Sequence, residues 1–445
     1  MWVLPLVILL GSVLWFVLKK ERISPETQAR FTALKAQADL FAEKLEWKHA
    51  LEKYQEAYSL ISDEVVQDSI SSINHRFDLL ESGMRAYNQV DYKEAMASFQ
   101  VAANLNLAEA YTMLGFMHYW GHGLDAIDRT KAGELFEKAV SLGDDKANLG
   151  LASSEKNPVN KEDLYRRASK AIIQRAEEKE PFWKVRLAGL YQDGNGVQKD
   201  VQKGISLLKE AAQAGNPQAQ LNLGFAFHYG NGVQKNYQET ERLYRLAADQ
   251  GHPAAEFNMG ILYRDGLSVQ QNFAEAYNWF ERAAKKGFAN AEFEIGLLYY
   301  NGTGVKKDDT EAVKWYLKAA EQEYTLAERS LGIMYANGYG VKKDDTEAVK
   351  WYRKAANKGN ATAQLNLGIM YANGRGVKRD YTEAVKWYRK AADQGNASAQ
   401  NNLGVMYARG TGVNKNENEA INWFKKAAAQ GNVNAKNSLR SRGIN

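Results

Sequence analysis

The feature that most constrains this chain is a 36-residue period running from Pro181 to Asn432. Gly194, Gly230, Gly266, Gly302, Gly338, Gly374 and Gly410 share one register. Gly196, Gly232, Ser268, Gly304, Gly340, Gly376 and Gly412 follow two residues later, and then an unbroken column of Val197, Val233, Val269, Val305, Val341, Val377 and Val413. A fixed period of about 20–50 residues marks stacked supersecondary units, each too small to bury its apolar face alone. Within one unit, Ala363–Ala372 has helical spacing, with Leu367, Met370 and Tyr371 on its apolar face. Asn373–Tyr381 reads as a glycine-bearing loop, and Thr382–Gln394 as a second helix with Ala384, Trp387, Tyr388, Ala391 and Ala392 inward. Gly395 then suits a left-handed helix stop.

The small residues explain how such units pack. Gly224, Gly260, Gly296, Gly332, Gly368 and Gly404 sit inside the first helix of each unit. A glycine there costs about 1 kcal/mol of helix propensity relative to alanine. A cost repeated at one register implies that a neighbour approaches too closely for a side chain. The pairs Trp315/Tyr316, Trp351/Tyr352, Trp387/Tyr388 and Trp423/Phe424 are expected to fill the space opposite as core. The chain holds 36 glycines and 6 prolines in 445 residues, which suits helices ended by glycine rather than broken by proline. A net charge of +5 is small for this length and does not point to nucleic acid, and the absence of cysteine excludes disulfides and thiolate metal sites.

The pattern closely resembles the Sel-one-like repeat (SLR), a relative of the tetratricopeptide repeat (TPR). The resemblance rests on A-x-x-x-L-G-x-x-Y, G-x-G-V and W-Y-x-x-A-A-x-x-G. One full match runs Ala363, Leu367, Gly368, Tyr371, Gly374, Gly376, Val377, Trp387, Tyr388, Ala391, Ala392 and Gly395. The domains read as a membrane anchor at 1–20, TPR-like helix pairs at 21–106, an SLR unit at 107–143 and a degenerate unit at 144–180. Seven SLR units follow at 181–432 and a C-terminal cap at 433–445. Ala188, Ser268 and Glu323 are local departures from the glycine pattern. The resemblance implies an all-α fold, a right-handed α/α solenoid of stacked helix-turn-helix repeats, and the apolar run at the N-terminus adds one transmembrane helix before it. The resemblance also implies that the first helices line a concave face. Asn222, Asn258, Asn366 and Asn402 share one register of those helices. A row of amides can donate and accept hydrogen bonds along the backbone of an extended peptide, so these four are the candidate partner-binding residues. Their alternative role is to satisfy neighbouring groups.

Other motifs carry no chemistry. G-x-G-V follows a helix and lacks the third glycine of a dinucleotide loop, so it reads as an interhelical turn. His118 and His122 stand four apart, but Gly121 and Gly123 place His122 in a loop without an H-E-x-x-H motif. No catalytic constellation, metal site or cofactor fingerprint emerges, so the chain is expected not to be an enzyme and to bind neither small-molecule substrate nor nucleic acid. Lys306/Lys307, Lys342/Lys343 and Lys378/Arg379 recur after successive loops. Asp308/Asp309, Asp344/Asp345 and Asp380 follow at once, so the edge reads as solvated and largely self-neutralised.

Trp2–Leu18 is an apolar or small-residue run followed by Lys19, Lys20 and Arg22. As a helix it spans about 25 Å, near the thickness of a bilayer core. It lacks a basic leading region and a small-x-small cleavage site, so it reads as a retained anchor rather than a signal peptide. The flanking charges place the repeat body on the cytoplasmic side of a bacterial inner membrane, with the periplasm as the alternative. The expected function is a membrane-tethered scaffold that binds a partner protein or peptide. The resemblance implies a second reading, an immunity protein that blocks a secreted toxin such as a type VI phospholipase.

Overall fold

The computed structural model describes residues 23–43, 46–124, 127–177 and 180–444. Among these the regular structure is helical, with no strand. The chain divides into two compact units, Met1–Ala219 and Gln220–Asn445. Trp2–Leu18, the expected anchor, lies outside the described residues. No helix among the described residues is long and apolar enough to cross a membrane.

The first unit opens with two helix pairs, α1 (Pro25–Glu43) with α2 (Trp47–Leu60), and α3 (Glu64–Asn88) with α4 (Tyr92–Asn104). The first pair packs through Phe31, Ala38, Ala50, Tyr54 and Ala57, with Val66 and Ile70 of α3 closing the same core. Asp63 and Asp91 start α3 and α4 by accepting from the backbone N–H groups of Val66 and Glu94, the ordinary role of an N-cap carboxylate. α5 (Ala108–Trp120) and α6 (Arg129–Ser141) form the next module. The phenyl ring of Phe136 lies against Gly115, where a Cβ would stand 2.5 Å from it, and a Cβ on Gly150 would stand 2.2 Å from the same ring.

The degenerate module has no glycine loop. Its first helix shrinks to a 3-10 turn at Asp145–Ala147 and the seven-residue α7 (Asn148–Ser154), and its second is the 20-residue α8 (Pro158–Glu177). α9 (Pro181–Asp193) and α10 (Val201–Gln213) complete the unit. A single continuous core runs from Leu80 of α3 to Tyr191 of α9. Rings remote in sequence meet in it: Tyr87 packs edge-on against Phe182 at 5.3 Å, and Phe116 lies 6.1 Å from Phe182. The Asn216 side-chain amide donates to Asn88 across 128 residues of chain, at 2.8 Å.

In the second unit the first helices are α11 (Pro217–Tyr229, which begins at the unit boundary), α13 (Pro253–Asp265), α15 (Ala289–Asn301), α17 (Thr325–Asn337), α19 (Ala361–Asn373) and α21 (Ala397–Arg409). Their partners are α12 (Tyr237–Asp249), α14 (Phe273–Ala284), α16 (Asp309–Glu321), α18 (Asp345–Asn357), α20 (Tyr381–Asp393) and α22 (Glu417–Ala429). α23 (Val433–Arg440) ends the unit by burying Ala435 and Leu439 against Phe424 and Ala427. Here the core is a series of clusters, each confined to neighbouring modules.

The close approach expected at the first-helix glycines is present. A Cβ at Gly224, Gly260, Gly296, Gly332, Gly368 or Gly404 would fall 2.4–2.7 Å from the ring of Tyr244, Phe280, Tyr316, Tyr352, Tyr388 or Phe424. Ala188, the departure from that column, shares its module with Leu208 at the aromatic position, so a larger residue on one helix goes with a smaller one on the other. Ser268 and Glu323 keep the left-handed backbone of the glycines they replace, at φ 65° and 60°. Each accepts steric strain of about 1–2 kcal/mol rather than altering the turn.

Candidate partner-binding face

A second periodic column locks each module of the second unit. At the fourth position of the first helix stand Gln220, Glu256, Glu292, Glu328, Gln364 and Gln400, all buried. Thirty residues on, at the end of the second helix, each has a hydrogen-bond donor. Gln250, Gln394 and Gln430 donate to Gln220, Gln364 and Gln400 at 2.7–2.8 Å. Lys286 and Lys358 donate to Glu256 and Glu328 at 2.8 Å. Gln322 donates to Glu292 at 2.7 Å, the one pair in which a buried carboxylate meets a neutral partner. Burial there raises the Glu292 carboxyl above the usual carboxylate range.

These locks fix the faces that first helices turn away from their partners. Asn222, Asn258, Asn366 and Asn402 are half-buried in one register two residues after the lock. Two of them face the preceding second helix: Asn366 stands beside Tyr352, and Asn402 beside Tyr388. The Nδ2 of Asn258 is buried without a protein partner. The amide row thus serves inter-module packing at two positions and has hydrogen-bonding capacity to spare at a third. One turn further along lie Phe225, Ile261, Leu297, Ile333, Ile369 and Val405, a column of half-buried or exposed apolar side chains beside the amides. Phe225 (37% exposed) stacks on Tyr229 (64% exposed) at 6.2 Å.

The same register in the first unit holds Arg186 rather than asparagine. Sequence reasoning passed over it because it belongs to the module with Ala188, where the glycine pattern is weakest. The 36-residue count alone reaches it from Asn222.

The remaining candidates resolve as follows. The tryptophans sit on the second helices, with Trp279, Trp387 and Trp423 only 7% exposed. A cation one turn on lies over each ring: Arg282, Lys318, Lys354, Lys390 and Lys426 stand 3.8–4.3 Å from the centroids of Trp279, Trp315, Trp351, Trp387 and Trp423. The rings are therefore buried or half-buried packing residues, each covered by the stem and charge of a lysine or arginine. Asp308, Asp344 and Asp380 are N-caps of α16, α18 and α20, and Asp345 pairs with Arg375. Those carboxylates are committed locally, and Lys306, Lys342, Lys343, Lys378 and Arg379 remain exposed. His122 sits in an aromatic cluster: Tyr87 lies 2.8 Å from its Nδ1 and Tyr92 stacks on its ring at 4.3 Å. No group of metal-ligating side chains occurs among the described residues.

Comparison with known proteins agrees with this architecture. The Sel1 repeat family model matches residues 108–144, 185–216 and six further consecutive stretches from 217 to 432. Among solved structures, c5321, a protective antigen of uropathogenic Escherichia coli displaying an SLR fold, is similar at 26% identity and TM-score 0.55, over 94% of this chain and 89% of that one. A Sel1 repeat protein from Oxalobacter formigenes is similar at 31% identity and TM-score 0.51, over 69% of this chain and 89% of that one. The immunity protein Pa5087 from Pseudomonas aeruginosa aligns at 21% identity and TM-score 0.32, over 44% of this chain and 75% of that one. No curated protein matches the chain significantly. With the repeat family's pattern covering more than half of its length, the chain belongs to the Sel1 repeat family.

Proposed function

We propose that this protein is a scaffold of a bacterial cell that takes an extended segment of a partner protein along the first-helix face of its second unit. It catalyses no reaction. The observation that supports this reading is the register itself. Four of the six first helices, in two neighbouring pairs separated by Glu294 and Ser330, offer a half-buried amide beside an apolar side chain, groups suited to the backbone and side chains of an extended peptide. Trp2–Leu18 tethers the scaffold to the inner membrane, and Lys19, Lys20 and Arg22 keep the repeats on the cytoplasmic side.

The test is crosslinking of the full chain in intact cells, with captured proteins read by mass spectrometry. Replacing Asn222, Asn258, Asn366 and Asn402 together by alanine is expected to abolish capture. Two of those changes also remove contacts with tyrosine. A Tyr352→Phe/Tyr388→Phe control takes the hydroxyls out of those contacts and leaves the amides, and it is expected to capture normally. Equal loss in the control, or undiminished capture by the alanine variant, would sink the reading. A reporter fused after Asn445 is expected to read out in the cytoplasm. A periplasmic readout with a secreted toxin captured would replace the scaffold by a neutraliser.

A further inference from the structure

Arg186 of α9 sits in a ring of aromatic side chains contributed by three helices of the first unit. Its guanidinium carbon lies 4.1 Å from the centroid of Trp120, 4.8 Å from Phe182 and 5.8 Å from Phe116. Tyr87 closes another side, 5.3 Å from Phe182, with its hydroxyl 2.8 Å from Nδ1 of His122. His122 is in turn stacked on Tyr92 with the rings 7° from parallel.

The ring faces attract a cation but cannot replace what the guanidinium loses on leaving water. Arginine carries five N–H donors in a planar fork, suited to a planar carboxylate. Among the described residues no carboxylate pairs with Arg186, and its Nε is shut from solvent without an acceptor. Arg76 of the same unit, over Trp47, also lacks a carboxylate but donates to the Leu105 carbonyl, and the buried carboxylates of the unit are compensated. Glu109 is held by Lys146, Arg175 and the indole of Trp183, and Asp144 by Lys146 and Thr112. A buried guanidinium without a counter-ion carries a desolvation penalty that an apolar residue of similar volume, such as methionine, avoids. Arg186 as a residue nonetheless keeps partial exposure.

We propose that Arg186, framed by Trp120, Phe182 and Tyr87, is a receptor for a carboxylate of a bound peptide, taken bidentately by the guanidinium with flat or apolar groups of the ligand against the rings. The carboxylate comes from an acidic side chain or from a chain's C-terminus. The site lies within the first unit and stands independently of the asparagine register.

The test uses the full chain, with thermal unfolding and tryptophan fluorescence as readouts. Sodium acetate is titrated against sodium chloride at equal ionic strength. Acetate is expected to raise the melting temperature above the chloride control and to perturb the fluorescence through Trp120. Three short peptides then identify the source: acetyl-Gly-Phe with a free C-terminus, its C-terminal amide, and acetyl-Asp-Phe-amide. A preference for the first assigns a C-terminus, and a preference for the third an acidic side chain. Arg186→Met is expected to abolish both responses and, having lost an uncompensated charge, to melt no lower than the wild type. Arg186→Lys keeps the charge but not the fork, and is expected to bind about tenfold more weakly. The proposal is overturned if acetate acts no differently from chloride, or if the amidated Gly-Phe peptide binds as well as the carboxylates. It is equally overturned if Arg186→Met melts well below the wild type while Arg186→Lys matches it in every response, since the charge would then be structural.

Discussion

The two units bury their apolar surface in different ways. In the first, residues from Leu80 to Tyr191 share one core, and a polar cluster of Glu109, Asp144, Lys146, Arg175 and Trp183 ties α5, α8 and α9 together. In the second, each module has its own apolar cluster and its own buried lock thirty residues apart. The difference starts at the degenerate module. A shortened α7 has little first-helix surface to place between α5 and α9, so aromatic rings of those two helices meet directly. Strict periodicity gives nearest-neighbour packing, and one broken period gives a domain-like core.

The largest test of that contrast is truncation of a ring in each unit. Phe136→Ala is expected to cost about 3–5 kcal/mol, because it empties the space under two glycines. Hydrogen exchange should then show amides from α3 to α9 losing protection together. Tyr388→Ala is expected to cost a similar amount, with protection lost only in its own and adjoining modules. A loss spreading over the whole second unit would erase the distinction.

A smaller effect sharpens the local character of the second unit. Glu323 holds a left-handed backbone where its counterparts are glycine, so Glu323→Gly is expected to raise stability by about 1 kcal/mol, read as slower exchange around α16 and α17. Unchanged exchange there would show that the turn carries no strain.

The smallest effect concerns the mismatched lock. The Glu292 carboxyl is raised by burial, so the folded state binds its proton more tightly than the unfolded chain does. Its penalty is complete above the raised value and vanishes once pH falls below the ordinary carboxylate range. Glu292→Gln, which recreates the Gln–Gln pair of other modules, should therefore unfold at higher urea than the wild type at neutral pH. The advantage should shrink towards pH 4, by the ordinary carboxylate value. An advantage independent of pH would assign the gain to something other than the charge.

Much of the fold is written in one-dimensional spacing. The glycine and aromatic columns disclose the two-helix module because each residue of a tight contact recurs at a fixed interval. The helices observed at Ala361–Asn373 and Tyr381–Asp393 lie within two residues of those read from the pattern. The lock column escaped notice because its members vary between Gln and Glu, and only their pairing across thirty residues shows them to be one device. The asparagine register was visible, but its contacts with Tyr352 and Tyr388 were not, since they join residues of adjacent modules. Arg186 was hidden for a different reason: its cage is assembled from Tyr87, Trp120 and Phe182, which no period relates.

The lock has a genetic corollary. Glu328 and Lys358, or Gln364 and Gln394, lie inside a single 36-residue stretch, so a duplicated stretch brings both halves of its buried pair with it. The run Ala348–Ala356 is repeated letter for letter at Ala384–Ala392, the kind of identity at which misaligned copies of a gene recombine. Such an exchange adds or removes a whole module without stranding a charge in the interior. The length of the repeat array can therefore grow or shrink in a single hereditary step.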